Sequence, residues 1–214
     1  NTTNIDTDLN ELTADITEAL PAPIYDMANT EKFIYIGGRF SEWMGGQLLL
    51  EYNKETKTAR SLDSLFSCKT ATETPSCTSV FSLVNTDKGL YIGTDNGLFL
   101  FNKDENNQDQ LVKIIDHGLD ENTDIKILYQ DSKGHVWAGS MIKEGITFFD
   151  GTDWHPLTSE TSAIPAGGYL AIAEGENNDY YFANNVSGLV KYNIETETAE
   201  IFTPRNSDII DHNL

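Results

Sequence analysis

One short pattern recurs four times along the chain, and a chain built from copies is constrained to fold as copies. The copies are Tyr35-Ile36-Gly37-Gly38, Tyr91-Ile92-Gly93-Thr94, Trp137-Ala138-Gly139-Ser140 and Tyr181-Phe182-Ala183-Asn184. A second extended stretch follows each one: 46–53, 97–102, 145–150 and 188–193, each opening on glycine. Read from Gly37 to Gly93 to Gly139 to Ala183, the intervals are 56, 46 and 44 residues. An apolar run and a polar turn precede each copy: Ile24 to Ala28 before 29–32, Val80 to Val84 before 85–89, Ile125 to Tyr129 before 131–134, and Tyr169 to Ala173 before 174–178. Asn, Asp and Gly tolerate the positive φ of tight hairpins, so each pair predicts two antiparallel strands. A fourth strand is expected at Ala59 to Leu65, Gln110 to Ile115, Trp154 to Thr158 and Glu200 to Thr203. Four short antiparallel strands in about 45 residues form the unit of a β-propeller, whose blades bury their faces against neighbouring blades. The fold class expected is therefore all-β.

That reading divides the chain into a lead-in over 1–21, blades over 22–66, 80–116, 117–158 and 159–204, a cysteine-bounded loop over 67–79, and 205–214 as the lead-in to a further blade. The expectation is an N-terminal arc of a larger propeller. The aromatic pairs Tyr35/Tyr52, Tyr91/Phe101, Trp137/Phe149 and Tyr181/Tyr192 are expected to wedge between blades. Composition limits the partners. Fourteen basic against thirty-four acidic side chains give a net charge of −20, which repels a phosphate backbone and argues against nucleic acid. No run approaches the roughly 18 apolar residues of a membrane span, and the first residue is Asn1, so the chain reads as a soluble mature or excised piece with no membrane insertion. Cys68 and Cys77 have no third soft ligand nearby, which favours a disulfide over a metal; a loop this short would gain roughly 3 kcal/mol, and the bond implies an oxidising compartment.

The stretches 131–140, 87–94 and 97–102 resemble the two-component-regulator propeller repeat, and the resemblance extends over about residues 22–204. The first copy lacks the glycine after its turn, and the fourth has Ala183-Asn184 where Gly-Thr is usual. Streptogramin-lyase-like propellers share the turn-Gly-x-aromatic signature. The resemblance implies an extracytoplasmic sensing module of a bacterial membrane receptor, periplasmic or extracellular, whose output would be a histidine kinase or nucleotide cyclase.

Blade topology sorts the loops. First-to-second and third-to-fourth turns share one face; second-to-third loops and blade connections share the other, which collects the longer loops where recognition usually resides. Arg39 and Trp43, in a Gly-flanked insertion, have the chemistry to hydrogen-bond and stack on a sugar, aromatic or peptide, unless Trp43 merely covers a blade edge. Asp95, Asn96, His117, Lys143 and Glu144 are expected at the same mouth, unless they are solvated turn residues. The expected partners are a small molecule, glycan or peptide there, and a second copy or further propeller repeats at open blade faces. No nucleophile elbow, metal-binding His-x-x-x-His or phosphate-cradling loop occurs, so no catalysis and no cofactor are expected; a lyase would need His117 as its base. Asp131-Ser132-Lys133-Gly134 offers one carboxylate where calcium takes six to eight oxygens, so it reads as a turn.

Overall fold

The computed structural model describes residues 23–39, 48–66, 79–143 and 145–208. These form four separate four-stranded antiparallel sheets, each an up-and-down meander with its strands in chain order. The fold is that of β-propeller blades. Blade 1 comprises β1 (Ile24–Asn29), β2 (Phe33–Gly38), β3 (Leu49–Asn53) and β4 (Thr58–Ser61). Blade 2 has β5 (Val80–Thr86), β6 (Gly89–Thr94), β7 (Gly97–Lys103) and β8 (Asp109–Ile114). Blade 3 has β9 (Ile127–Gln130), β10 (Val136–Gly139), β11 (Ile146–Phe149) and β12 (Trp154–Leu157). Blade 4 has β13 (Tyr169–Glu174), β14 (Asp179–Asn184), β15 (Gly188–Asn193) and β16 (Thr198–Phe202). The chain divides into two compact units, Asn1–Val80 and Phe81–Leu214.

Local sequence explains the turns. At the third-to-fourth hairpins an Asn or Asp side chain accepts hydrogen bonds from backbone N–H groups two or three residues on: Asn53 from Glu55 and Thr56, Asp150 from Thr152 and Asp153, Asn193 from Glu195 and Thr196. In blade 2 the strand is longer and Asp104 takes this part for Asn106 and Gln108. Such side chains replace the missing ladder partners of a turn.

The first unit departs from expectation in its fourth strand. β4 ends at Ser61, and Asp63–Leu65 form a 3-10 turn instead of extending it. The Asp63 carboxylate accepts from Leu48 N and Leu49 N at 2.9–3.0 Å, so it holds the start of β3 rather than continuing the strand. Within the sheet, buried Glu51 accepts from Tyr35 Oη at 3.1 Å and pairs with Arg60 Nε at 2.6 Å.

In the second unit the blades lean on one another through alternate residues. Tyr91 and Leu98 of blade 2 cluster with Val136 and Ala138 of blade 3. On the opposite face of blade 3, Trp137 lies 4.6 Å from Phe148, 4.4 Å from Tyr180 and 5.6 Å from Phe182, measured between ring centroids. We call the face of a blade that meets the next one its leading face and the other its trailing face. The wedge expectation needs correction in register. Trp137 pairs with Phe148, and Phe149 with Val136, so the two aromatics of a repeat point to opposite faces. In blade 4 the residues that meet blade 3 are Tyr180 and Phe182, both fully buried, whereas Tyr181 points to the leading face and is half-buried.

Asp131, in the β9–β10 turn, fastens this interface. Its Oδ2 accepts from Tyr180 Oη at 2.6 Å and Trp137 Nε1 at 3.0 Å, and meets His135 Nδ1 at 2.9 Å. Its Oδ1 accepts from the backbone N–H groups of Lys133 and His135. Glu174 of blade 4 reaches back to accept from Ser132 N and Oγ. Burial alone would raise the Asp131 pKa, but the hydrogen bonds from Tyr180, Trp137 and the His135 N–H outweigh it and hold the carboxyl below its ordinary value. Tyr180, buried against that carboxylate, is raised.

Asp131→Ala leaves two buried donors unpaired and should destabilise the protein by about 3 kcal/mol in urea unfolding. Because the folded pKa lies below the unfolded value of about 3.9, Asp131 contributes fully above that pH, and its contribution disappears as the pH falls through the folded pKa; the variant should lack that acid-side loss. Glycine gives a second contrast. A Cβ at Gly93 would lie 2.5 Å from the Ile125 carbonyl of the incoming blade, whereas one at Gly139 meets nothing nearer than 3.4 Å. Gly93→Ala should cost about 1–3 kcal/mol and Gly139→Ala well under that, measured by the same unfolding curves.

Candidate recognition rim

In blades 2, 3 and 4 the face opposite the Asx-closed turns is built on a repeated side chain just after the small residue of the second strand. Thr94, Ser140 and Asn184 occupy this position, all fully buried. Thr94 Oγ1 accepts from Asn96 N and donates to Gly97 O. Ser140 Oγ accepts from Ile142 N and Lys143 N and donates to Asp124 Oδ1 at 2.7 Å. Asn184 Oδ1 accepts from Val186 N and Ser187 N. Each side chain satisfies the backbone of the loop after it, so the loop is fixed without a ladder partner.

The same residues receive the next blade. Ile125 N donates to Thr94 O and Tyr169 N donates to Ser140 O, both at 2.8 Å, just before β9 and at the start of β13. Asn185 adds a further tie: its Nδ2 donates to Met141 O at 3.0 Å, its Oδ1 accepts from Gly168 N at 3.0 Å, and its own N–H donates to Gly168 O. The packing there is close, since a Cβ on Gly168 would stand 2.0 Å from Met141 O. Three segments, 140–143, 165–168 and 184–188, are therefore cross-linked into one rim.

On this rim the side chains of Met141, Ile142 and Val186 are exposed, at 36%, 70% and 68%. Apolar side chains on a fixed backbone present binding surface at low ordering cost. Lys143, also exposed, lies beside them.

The residues expected at the mouth are distributed unevenly. Lys143 belongs to this rim, held through its N–H by Ser140. Asp95 and Asn96 are half-buried in the tight β6–β7 turn. Arg39 is exposed and belongs to the first unit, where it bridges Ser79 just beyond β2. Trp43, Glu144, Cys68 and Cys77 lie outside the described residues.

The structure differs from expectation at His117. Instead of facing a mouth, it is fully buried in the blade 2–blade 3 connection, its ring 6.2 Å from Trp154, with Nδ1 accepting from Leu119 N at 3.3 Å. Nε2 is buried and has no hydrogen-bond partner among the described residues. Burial is the main cause of a lowered pKa, opposed by Asp116 and Asp120 and reinforced by Lys113. A ring with no exposure does not meet substrate, so it is not placed to act as a lyase base. Sequence reasoning missed Ser140, Asn184 and Asn185 as builders of the rim. The signal was present, because a small polar residue comes directly after the repeated Gly or Ala in the second, third and fourth copies.

No protein-family model matches the chain, and no curated protein matches it. Solved structures do. The chain is similar to the extracellular domain of a putative hybrid two-component system from B. thetaiotaomicron, with 15% identity and TM-score 0.60 over 89% of this chain and 23% of that one. It is similar to the extracellular domain of a putative one-component system from the same organism, with 17% identity and TM-score 0.63 over 89% and 24%. PorZ, an essential surface component of the type-IX secretion system of Porphyromonas gingivalis, matches with 14% identity and TM-score 0.61 over 89% and 28%. The chain thus spans about a quarter of the length of these structures. At such identities the likeness concerns the fold.

His117 supplies a pH test. Its folded pKa lies below the unfolded value of about 6.5, so it favours folding above that pH and its contribution is lost as the pH falls below it. Denaturation midpoints should drop between pH 7.5 and pH 5, and His117→Leu should flatten that drop. An equal drop in the variant would show that other groups carry it.

Proposed function

We propose that this chain is a ligand- or partner-sensing propeller segment of an extracytoplasmic bacterial signalling receptor, acting in the periplasm or at the cell surface and without chemistry of its own. Recognition takes place on the long-loop face. The observation that carries the reading is the cross-linked rim of blades 3 and 4, which displays Met141, Ile142 and Val186 to solvent beside Lys143. A folded domain usually buries such residues; holding them exposed on a rigid backbone suits binding of a small molecule, glycan or peptide with an apolar face. The likeness to extracellular domains of putative signalling systems supports the compartment and the sensing role. The burial of His117 favours this reading over a lyase.

The test is a thermal-shift screen of the purified chain against oligosaccharides, short peptides and small aromatic or aliphatic compounds. A binder should raise the melting temperature of the parent chain. Ile142→Asp combined with Val186→Asp should abolish that rise by about tenfold or more in Kd, with the unliganded melting temperature nearly unchanged, since both side chains are exposed. Binding undiminished in that variant, or a screen with no binder, refutes recognition at the rim.

A further inference from the structure

Within the second unit, blade 4 has one face that no residue of that unit buries. Its trailing face carries Tyr180, Phe182, Val190 and Tyr192, all within the core shared with blade 3. Its leading face carries Ala171, Ala173, Tyr181, Leu189, Lys191 and Phe202, none of which is buried. Blade 3 shows what this face does when it is covered. There the registered positions are Ile127, Tyr129, Trp137, Ile146, Phe148 and Leu157; all but half-buried Tyr129 are buried, and the core they share is completed by blade 4. Register fixes the comparison: Gly139 stands opposite Ile127 and Ile146, and Ala183 opposite Ala171 and Leu189.

We propose that the leading face of blade 4 is a docking face whose occupant is a further four-stranded blade carried by a longer form of the same polypeptide. Three observations support that occupant. The interfaces from blade 2 to 3 and from blade 3 to 4 both run leading face to trailing face, and the open face continues that series. Each incoming blade donates one backbone N–H to the carbonyl of the residue after the repeated Gly, Thr94 and then Ser140; the corresponding residue in blade 4 is Asn184. The solved structures of like fold are about four times longer, which is room for more blades.

The departure at Ala183 is compatible with this. A Cβ at the equivalent Gly139 has its nearest neighbour at 3.4 Å, so the blade 3–blade 4 spacing already has room for alanine. The face also specifies its occupant. Ala171 and Ala173 replace Ile127 and Tyr129, which leaves a recess beside Tyr181 for bulky side chains from the incoming sheet. Of the charged groups on the face, Lys191 is paired with Asp179 at 2.8 Å, and exposed Glu200 stands opposite Lys191 in register, a further charge that the incoming sheet must pair or leave at its edge.

The experiment compares the 214-residue chain with the intact natural protein, each carrying Ala173→Cys at an exposed position. Both are exposed to a maleimide, and labelling at residue 173 is tracked by peptide mass spectrometry, which separates it from Cys68 and Cys77. In the short chain residue 173 should react rapidly; in the intact protein it should react about tenfold slower or less. Equal rates overturn the proposal. Protection in the short chain that grows with its concentration overturns it in favour of a second copy as the occupant. Tyr181→Ala provides an independent reading: it should lower the melting temperature of the intact protein and leave that of the short chain nearly unchanged. An equal fall in both assigns Tyr181 to the stability of blade 4 itself and counts against docking.

Discussion

The second unit depends on burying each sheet against the next through alternating side chains. A four-stranded sheet of this size has two faces and cannot bury either alone. Blade 3 solves the problem on both sides, with Val136 and Ala138 against blade 2 and Trp137 against blade 4. The Trp137 contact is the best furnished, since the indole lies among three aromatic rings while its N–H is taken by Asp131. Stacked aromatic pairs are worth about 0.5–1.5 kcal/mol each beyond burial. The carboxylate gives the contact direction, because one oxygen receives Trp137 from its own blade and Tyr180 from the next. Apolar packing alone would tolerate sliding of one sheet over the other; the shared acceptor fixes where they stop.

Much of this was legible in the sequence because the repeat exposes it. The spacing of the aromatic-Gly copies and the Asn, Asp and Gly turns was enough to place all four blades, and most strands fall within two residues of expectation. The wedges were harder. Tyr181 aligns with Trp137, and alignment correctly puts both on leading faces, but it is silent on which face is covered; Tyr180 and Phe182 fill the interface from the trailing side. Side-chain period two means that neighbours in sequence serve different neighbours in space. Asp131 was read as a turn former and is one, through its bonds to Lys133 and His135. Its reach to Tyr180, 49 residues away, had no local signature.

The rim shows the same limit from the other direction. In the sequence, chemical versatility singles out His117 and Arg39. The structure makes versatility secondary to position. His117 connects two blades and is buried, whereas Met141, Ile142 and Val186, apolar residues in loops, are displayed. They were passed over because hydrophobic residues in a repeat protein are ordinarily core. They are marked by the side chain at the root of each loop: Ser140 and Asn184 occupy the loop backbone's donors and so hold the residues beyond them in place.

The two faces therefore differ in how they satisfy their backbone, and this has a consequence for where recognition can evolve. On the turn face the Asx side chains close short hairpins from within, with Asp131, Asp150 and Asn193 each serving its own turn. Little sequence freedom remains there, and the turn of blade 3 is further tied to blade 4 through Ser132 and Glu174. On the opposite face the satisfying group sits at the strand end, buried, and between blades 3 and 4 Asn185 adds a cross-tie to Met141 and Gly168. The remaining loop residues are free to vary in kind while the backbone stays in place. A scaffold of copied blades gains individuality at such loops, and the apolar tips at 141, 142 and 186 are the individuality this chain displays between its third and fourth blades.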